Sequence, residues 1–350
     1  MKNFSNMRQV IWAKRRRLKC LAKSIAPTTW SAGPAPGRPV ISTVGHLLDC
    51  QNLSEKTRQM KRFLPTVTLL LMWCTQCLAQ ELITYPSTDP SGNVIEVTAA
   101  ISVPMELAKS AEKLPAVVLL HSVGGWSHPV TEQYAKALSE AGVLALEPRL
   151  FKNRASAPAV GVSLLPMVYD ALRYLAERGD VDSRRIGIAG FSFGGAVALH
   201  SAAAWAQAAY AKNPDLKFAA HAPFYPSCGL FSEFAQGKRK TPGIPGDALT
   251  NWTGVPVKIF AGGRDDYDDR DPNACAELIA LLPPNFQPAF SVQLYPQATH
   301  AWDQQSASFY ERIACKGRGC VNTTEANPEV TRQSIKDLID FFGKALALPR

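Results

Sequence analysis

The sequence predicts an α/β protein built on a mostly parallel sheet, and three observations carry that prediction. Apolar strand-like runs alternate with helical stretches from residue 94 onward. One strand-to-helix junction reads Gly190-Phe191-Ser192-Phe193-Gly194. An acid and then a histidine follow, each just past the end of a later strand-like run. Such alternation builds parallel sheets with right-handed crossovers, and their ligand sites fall at the carboxyl ends of the strands.

The strand-like runs lie at 94–103, 115–122, 143–148, 185–190, 217–224, 255–261 and 290–295. The run at 115–122 is almost unbroken apolar sequence, as a strand covered on both faces requires, whereas 290–297 alternates. Helical stretches are expected near 130–142, 162–178, 194–211, 272–282, 301–313 and 328–347. Together they fit one domain of about 270 residues from residue 80 onward. The longest connection, 229–254, carries Lys238-Arg239-Lys240 and reads equally as a lid or a solvated surface loop. There is no internal repeat and no phosphate-binding glycine loop.

The segment IGIAGFSFGGAVALH (186–200) places Ser192 on a sharp turn between strand and helix. Such a turn strains the serine backbone and excludes a Cβ two residues either side, which Gly190 and Gly194 satisfy. The helix starting at Phe193 aims its unpaired N–H groups and positive end at the serine. A nucleophilic serine needs a base and an orienting acid, in the chain order Ser, Asp/Glu, His. His300, in the loop behind 290–297, is the expected base; His121 precedes a glycine loop, while His200 and His221 fall inside a helix and an apolar strand. Asp265 is the expected acid, with Asp266 as the rival. The acidic run Asp265, Asp266, Asp268, Asp269 and Asp271 also raises a calcium reading, but it lacks the spacing and glycine of an EF-hand loop. The oxyanion N–H groups are expected from Phe193 and from Val123, in the glycine loop after LPAVVLL.

From about Val94 to Leu348 the chain resembles the dienelactone hydrolase family of α/β-hydrolases, in VVLLHSVGG (117–125), VDSRRIGIAGFSFGG (181–195), FYPSCG (224–229), FAGGRDDYDD (260–269) and YPQATHAWD (295–303). The resemblance implies the α/β-hydrolase fold, an eight-stranded, mostly parallel sheet with helices on both faces, and a triad of Ser192, Asp265 and His300. One departure stands out: the namesake enzymes use a cysteine nucleophile, and this chain has serine. The resemblance therefore implies ester hydrolysis in general.

The net charge of +9 misleads. Residues 1–79 hold 13 basic and 2 acidic residues, leaving 25 basic and 27 acidic for the remainder, so nucleic acid is not an expected partner. Met60-Lys61-Arg62, the apolar stretch from Phe63 to Cys74, and Cys77-Leu78-Ala79 read as a secretory signal peptide over 60–79. Residues 1–59 then read as a disordered, over-extended start, with translation beginning at Met60. A nuclear-type basic cluster or a twin-arginine signal at Lys14-Arg15-Arg16-Arg17 fits less well. A lipid anchor at Cys74 is disfavoured by the bulky Trp73 before it. Cleavage after Ala79 leaves Cys228, Cys275, Cys315 and Cys320 in an oxidising compartment. The expected pairs are Cys228 with Cys275 and Cys315 with Cys320; free thiols are the alternative, and no spacing is a zinc pattern.

The reading is a secreted or periplasmic serine hydrolase that cleaves small-molecule esters through an acyl-enzyme. It requires neither cofactor nor metal, and the mature chain has no membrane span. The rivals are a peptidase or amidase with the same triad, and a non-catalytic binding module on a hydrolase scaffold. Oligomeric state and acyl or alcohol size are not written in these residues.

Overall fold

The computed structural model describes residues 80–104 and 112–348. The expected start at Met60, the signal peptide at 60–79 and Cys74 lie outside the described residues, all of which fall in one compact unit. Eight strands form one sheet: β1 (Gln80–Thr88), β2 (Val94–Ser102), β3 (Leu114–Leu120), β4 (Leu144–Pro148), β5 (Val181–Phe191), β6 (Ala220–Phe224), β7 (Val257–Gly262) and β8 (Phe290–Tyr295). Their order is β1-β2-β4-β3-β5-β6-β7-β8, with β1 and β2 antiparallel at one edge and every other pairing from β4 to β8 parallel. This is the fold class that the sequence predicts.

Parallel strands need crossovers, and helices supply them on both faces. They are α1 (Glu132–Glu140), α2 (Leu165–Glu177), α3 (Phe193–His200), α4 (Ala204–Tyr210), α5 (Cys228–Ala235), α6 (Ala274–Leu281) and α7 (Pro328–Ala345). Because side chains alternate along a strand, β3 feeds two cores. Leu114, Ala116, Val118 and Leu120 pack with Met167, Val168 and Leu172 of α2 on one side. Val117 and Leu119 pack with Tyr134 and Leu138 of α1 and Phe342 of α7 on the other. Every residue of β3 is buried, which explains its uninterrupted apolar run. A third cluster, around Leu199, Phe231, Trp252 and Leu278, fills the space beside β7.

Two expected helices are corrected. The stretch 194–211 is broken, because Ala203 pairs with Trp252 in an isolated bridge and Ala204 N–H donates to the Asn251 carbonyl. Ser201 Oγ also turns back onto the Ala198 carbonyl at 2.8 Å, capping α3 early. The second correction is larger. In place of a helix over 301–313, the chain makes a turn and then β9 (Ala307–Glu311), which pairs antiparallel with β10 (Cys320–Thr324) as a separate hairpin. Ser308-Phe309-Tyr310 suits a strand, and Cys315–Cys320 closes the hairpin's end. Both disulfides have the expected pairing, Cys228–Cys275 and Cys315–Cys320. The first ties α5 to α6 across a sequence separation of 47, a closure typically contributing about 2–4 kcal/mol.

Among the described residues, no helix is long and apolar enough to cross a membrane.

Candidate active site

Ser192 sits between β5 and α3 with φ 53° and ψ −112°, a conformation an L-residue adopts only under strain. What holds it there is close packing of backbone. A Cβ on Gly190 would overlap the Gly194 carbonyl, and one on Gly194 would lie 2.5 Å from the carbonyl oxygens of Leu120 and His121. Only glycine fits at either position. Ser192 N–H donates to the Phe224 carbonyl at 3.0 Å, stitching the turn to the end of β6.

The Ser192 hydroxyl lies 2.7 Å from His300 Nε2. On the other side of the ring, His300 Nδ1 lies 2.8 Å from Asp265 Oδ2. The second Asp265 oxygen accepts from the Tyr267 N–H at 2.8 Å, which fixes the carboxylate. A hydroxyl, imidazole and carboxylate in this series can move a proton off the serine and hold the resulting imidazolium. Asp265 follows β7 and His300 follows β8, so all three groups gather at the carboxyl edge of the sheet. Asp265 and His300 are 2% and 3% exposed, which strengthens their mutual interaction by excluding water.

Asp266 is engaged elsewhere. Its Oδ1 accepts from Arg270 Nε at 2.7 Å and its Oδ2 from the Thr323 N–H at 2.8 Å, so it anchors the β9–β10 hairpin. The rest of the acidic run is likewise occupied by protein groups. Asp268 caps the start of α5 through the N–H groups of Cys228 and Gly229, at 3.2 and 2.7 Å, while Asp269 pairs with Arg318 and Asp271 with Lys316. Burial, aided by the Asp265 charge, pushes the Asp268 carboxyl up to about 7. Asp268 also approaches Cys228 and Cys275, but the two sulfurs are bonded to each other and neither is a thiolate ligand. The run serves the protein's own groups rather than the hard-cation geometry that calcium requires.

The other histidines differ from His300 in their surroundings. Burial lowers His121 to about 4, and both His200 and His221 to about 3, so all three are neutral at neutral pH. His200 closes α3 and His221 lies in β6, each with aromatic contacts, as their positions in the sequence suggest.

Val123 and Phe193 both border the space above Ser192. Phe193 opens α3, where first-turn N–H groups have no intrahelical acceptor, so its N–H is free to face a developing anion.

Several supporting residues are not singled out by sequence reasoning. Tyr225 and Tyr267 flank the His300 ring at centroid distances of 4.9 and 4.2 Å. Asp303 lies beneath, accepting from the hydroxyls of Tyr225 and Tyr134 at 2.6 and 2.7 Å. Burial pushes the Asp303 carboxyl upward. Tyr225, with φ 37°, and Ala301, with φ 52°, are also strained, so the backbone is bent after β5, β6 and β8 around the imidazole. The signals for Tyr267 and Asp303 are the segments FAGGRDDYDD and YPQATHAWD, in which they stand two and three residues after the expected catalytic Asp265 and His300.

Two clefts meet at Ser192. One, of about 450 Å³, is walled largely by apolar groups, including Phe193, Leu230, Phe231, Phe234 and Ile244. Four of these come from 229–254, so that segment forms a wall of the cleft and is not simply a solvated loop. The other, of about 260 Å³, contains His300 and a polar set from His128 and residues 304–306 to Asn322. Arg154 borders both and is tied to Glu311, with its guanidinium 5.4 Å from the Phe309 ring centroid.

The sequence model of the dienelactone hydrolase family matches residues 103–346, most of the chain and all of this site. The chain belongs to the dienelactone hydrolase family. Esterase 2 of Thermogutta terrifontis, in a structure phosphoramylated by tabun, is similar in fold, with 16% identity, 77% of this chain and 97% of that chain covered, and a TM-score of 0.54. A putative dienelactone hydrolase from Klebsiella pneumoniae matches with 18% identity, 75% and 99% coverage and a TM-score of 0.48. Est1E from Butyrivibrio proteoclasticus matches with 17% identity, 74% and 99% coverage and a TM-score of 0.46. No curated protein matches in sequence. As a dienelactone hydrolase family member carrying serine in its elbow, the protein is a serine hydrolase of carboxylic esters.

Proposed function

We propose that Ser192, His300 and Asp265 are the catalytic triad of a secreted esterase. The observation that carries this reading is the unbroken series from Ser192 Oγ to His300 Nε2 at 2.7 Å and from His300 Nδ1 to Asp265 Oδ2 at 2.8 Å. Ser192 attacks the acyl carbon as His300 takes its proton, and Asp265 keeps the imidazole in the tautomer that accepts it. The N–H groups of Val123 and Phe193 hold the tetrahedral oxyanion, each donor contributing on the order of 10²–10³ in rate. His300 then returns the proton to the leaving alcohol, and water repeats the cycle on the acyl-enzyme. A fluorophosphonate probe tests the assignment. One adduct is expected per molecule, mapped to the peptide containing Ser192. A folded sample that takes no label would favour a binding module on a hydrolase scaffold, and a label on another serine would displace Ser192.

The secretory reading of residues 60–79 is a separate proposal, and two disulfides among the described residues support it, because such bonds persist in oxidising compartments. Intact mass of protein from its native host should correspond to a chain beginning near Gln80, with four thiols appearing only after reduction. A mass that includes residues 1–59, or four free thiols before reduction, would overturn it.

A further inference from the structure

The reaction itself sorts the two clefts. The proton that His300 carries must reach the leaving oxygen, so the alcohol part of the ester lies on the side of the imidazole. Of the two clefts, His300 borders the smaller one, and Phe193, next to the oxyanion position, borders the larger one. The acyl group therefore takes the larger cleft and the alcohol takes the smaller one.

Within the alcohol cleft, Asn322 is in an unusual state. It lies on the inward face of β10, with 0% exposure against 56% for its neighbour Val321. Neither Oδ1 nor Nδ2 has a hydrogen-bond partner among the described residues. In the same cleft, His128 Nδ1 is also buried and without a partner. Buried polar atoms are nearly always satisfied, and two residues lining one cleft with such unpartnered atoms indicate a polar ligand. The hairpin that carries Asn322 is firmly held. Cys315 N–H donates to the Asp266 carbonyl at 2.7 Å, Lys316 N–H to the Tyr267 carbonyl at 2.9 Å, and Thr323 N–H to Asp266 Oδ2 at 2.8 Å. Disulfide Cys315–Cys320 closes its tip. Asn322 is thus placed by the same loop that supplies Asp265.

We propose that this cleft selects esters whose alcohol carries further hydroxyl groups, a polyol or a sugar, and that Asn322 and His128 hydrogen-bond those hydroxyls. The proposal rests on the esterase reading of Ser192. A hydroxyl both donates and accepts, which matches Oδ1 and Nδ2 of one carboxamide. A simple alkyl alcohol leaves both unsatisfied. An anionic alcohol would look to Arg154, which is already paired with Glu311.

The test compares kcat/KM for three esters with one acyl group: ethyl butyrate, glycerol 1-butyrate and glucose 6-butyrate. The full chain is used, with active sites counted by fluorophosphonate titration. The protein should favour at least one hydroxylated ester over ethyl butyrate by about tenfold or more, and the glycerol and glucose arms separate a polyol from a sugar. In Asn322→Leu, and independently in His128→Phe, that preference should shrink by about tenfold. His128→Phe keeps the ring volume and carries the test if Asn322→Leu fails to fold. Equal kcat/KM on all three esters, or a preference unmoved in the folded variants, overturns the proposal and marks Asn322 as a structural amide satisfied by water. Failure to hydrolyse any ester overturns the esterase reading, and this proposal with it.

Discussion

Replacing Ser192 with alanine is expected to cut ester turnover by a factor on the order of 10⁴–10⁶ while leaving the fold intact. The size follows from what one atom does. In the proposed mechanism Ser192 Oγ is the attacking group, and the hydrogen bond found for it is to His300 at 2.7 Å. Its removal ends the covalent route, leaving oxyanion stabilisation and substrate positioning to act on water alone. The fold survives because the turn depends on Gly190, Gly194 and the Ser192 N–H to Phe224 carbonyl bond, none of which involves the hydroxyl. Alanine meets the same strain at φ 53° as serine does, so the variant's unfolding midpoint should stay near that of the parent. Turnover of a p-nitrophenyl ester, with thermal unfolding as the control, reads both. Activity within a hundredfold of the parent, in a protein that still melts normally, would remove Ser192 from the mechanism.

The parts of this site legible in the sequence are those set by local backbone demands. The two glycines around Ser192 declare a turn that tolerates no Cβ, and β3 declares burial on both faces by its apolar run. The parts that were not legible depend on partners far along the chain. β1 contains Pro86, which argues against a strand, yet it lies at the sheet's edge, where a missing donor is tolerated. The β9–β10 hairpin exposes Phe309, Tyr310 and Val321, so its apolar residues follow no buried face, and their spacing imitates a helix. What fixes the hairpin is a disulfide together with hydrogen bonds to Asp266 and Tyr267, about 50 residues upstream. The unpartnered carboxamide of Asn322 belongs to the same class, since only the folded hairpin turns it inward.

Asp265 and Asp266 pose the same problem at the scale of one residue, because adjacent carboxylates are equivalent until tertiary structure separates them. Asp265 points to His300 and is steadied by the Tyr267 N–H, whereas Asp266 points away to Arg270 and Thr323. Asp265→Asn is therefore expected to lower turnover by around 10⁴. An asparagine at this position turns its NH₂ toward His300 Nδ1, moves the ring proton to Nε2, and leaves that nitrogen unable to accept from Ser192. Asp266→Asn retains an acceptor for the Thr323 N–H and loses only an ion pair with the largely exposed Arg270, whose worth is modest. It should cost about tenfold or less, chiefly through small shifts of the hairpin. The pair is read by kcat for one activated ester across both variants, with fluorophosphonate labelling to count competent sites. Asp265→Asn should label slowly, since Ser192 loses its base, and Asp266→Asn at close to the parental rate. If the larger loss instead follows Asp266→Asn, the hydrogen bond from His300 to Asp265 is not the one that sets the tautomer, and Asp266 takes the role.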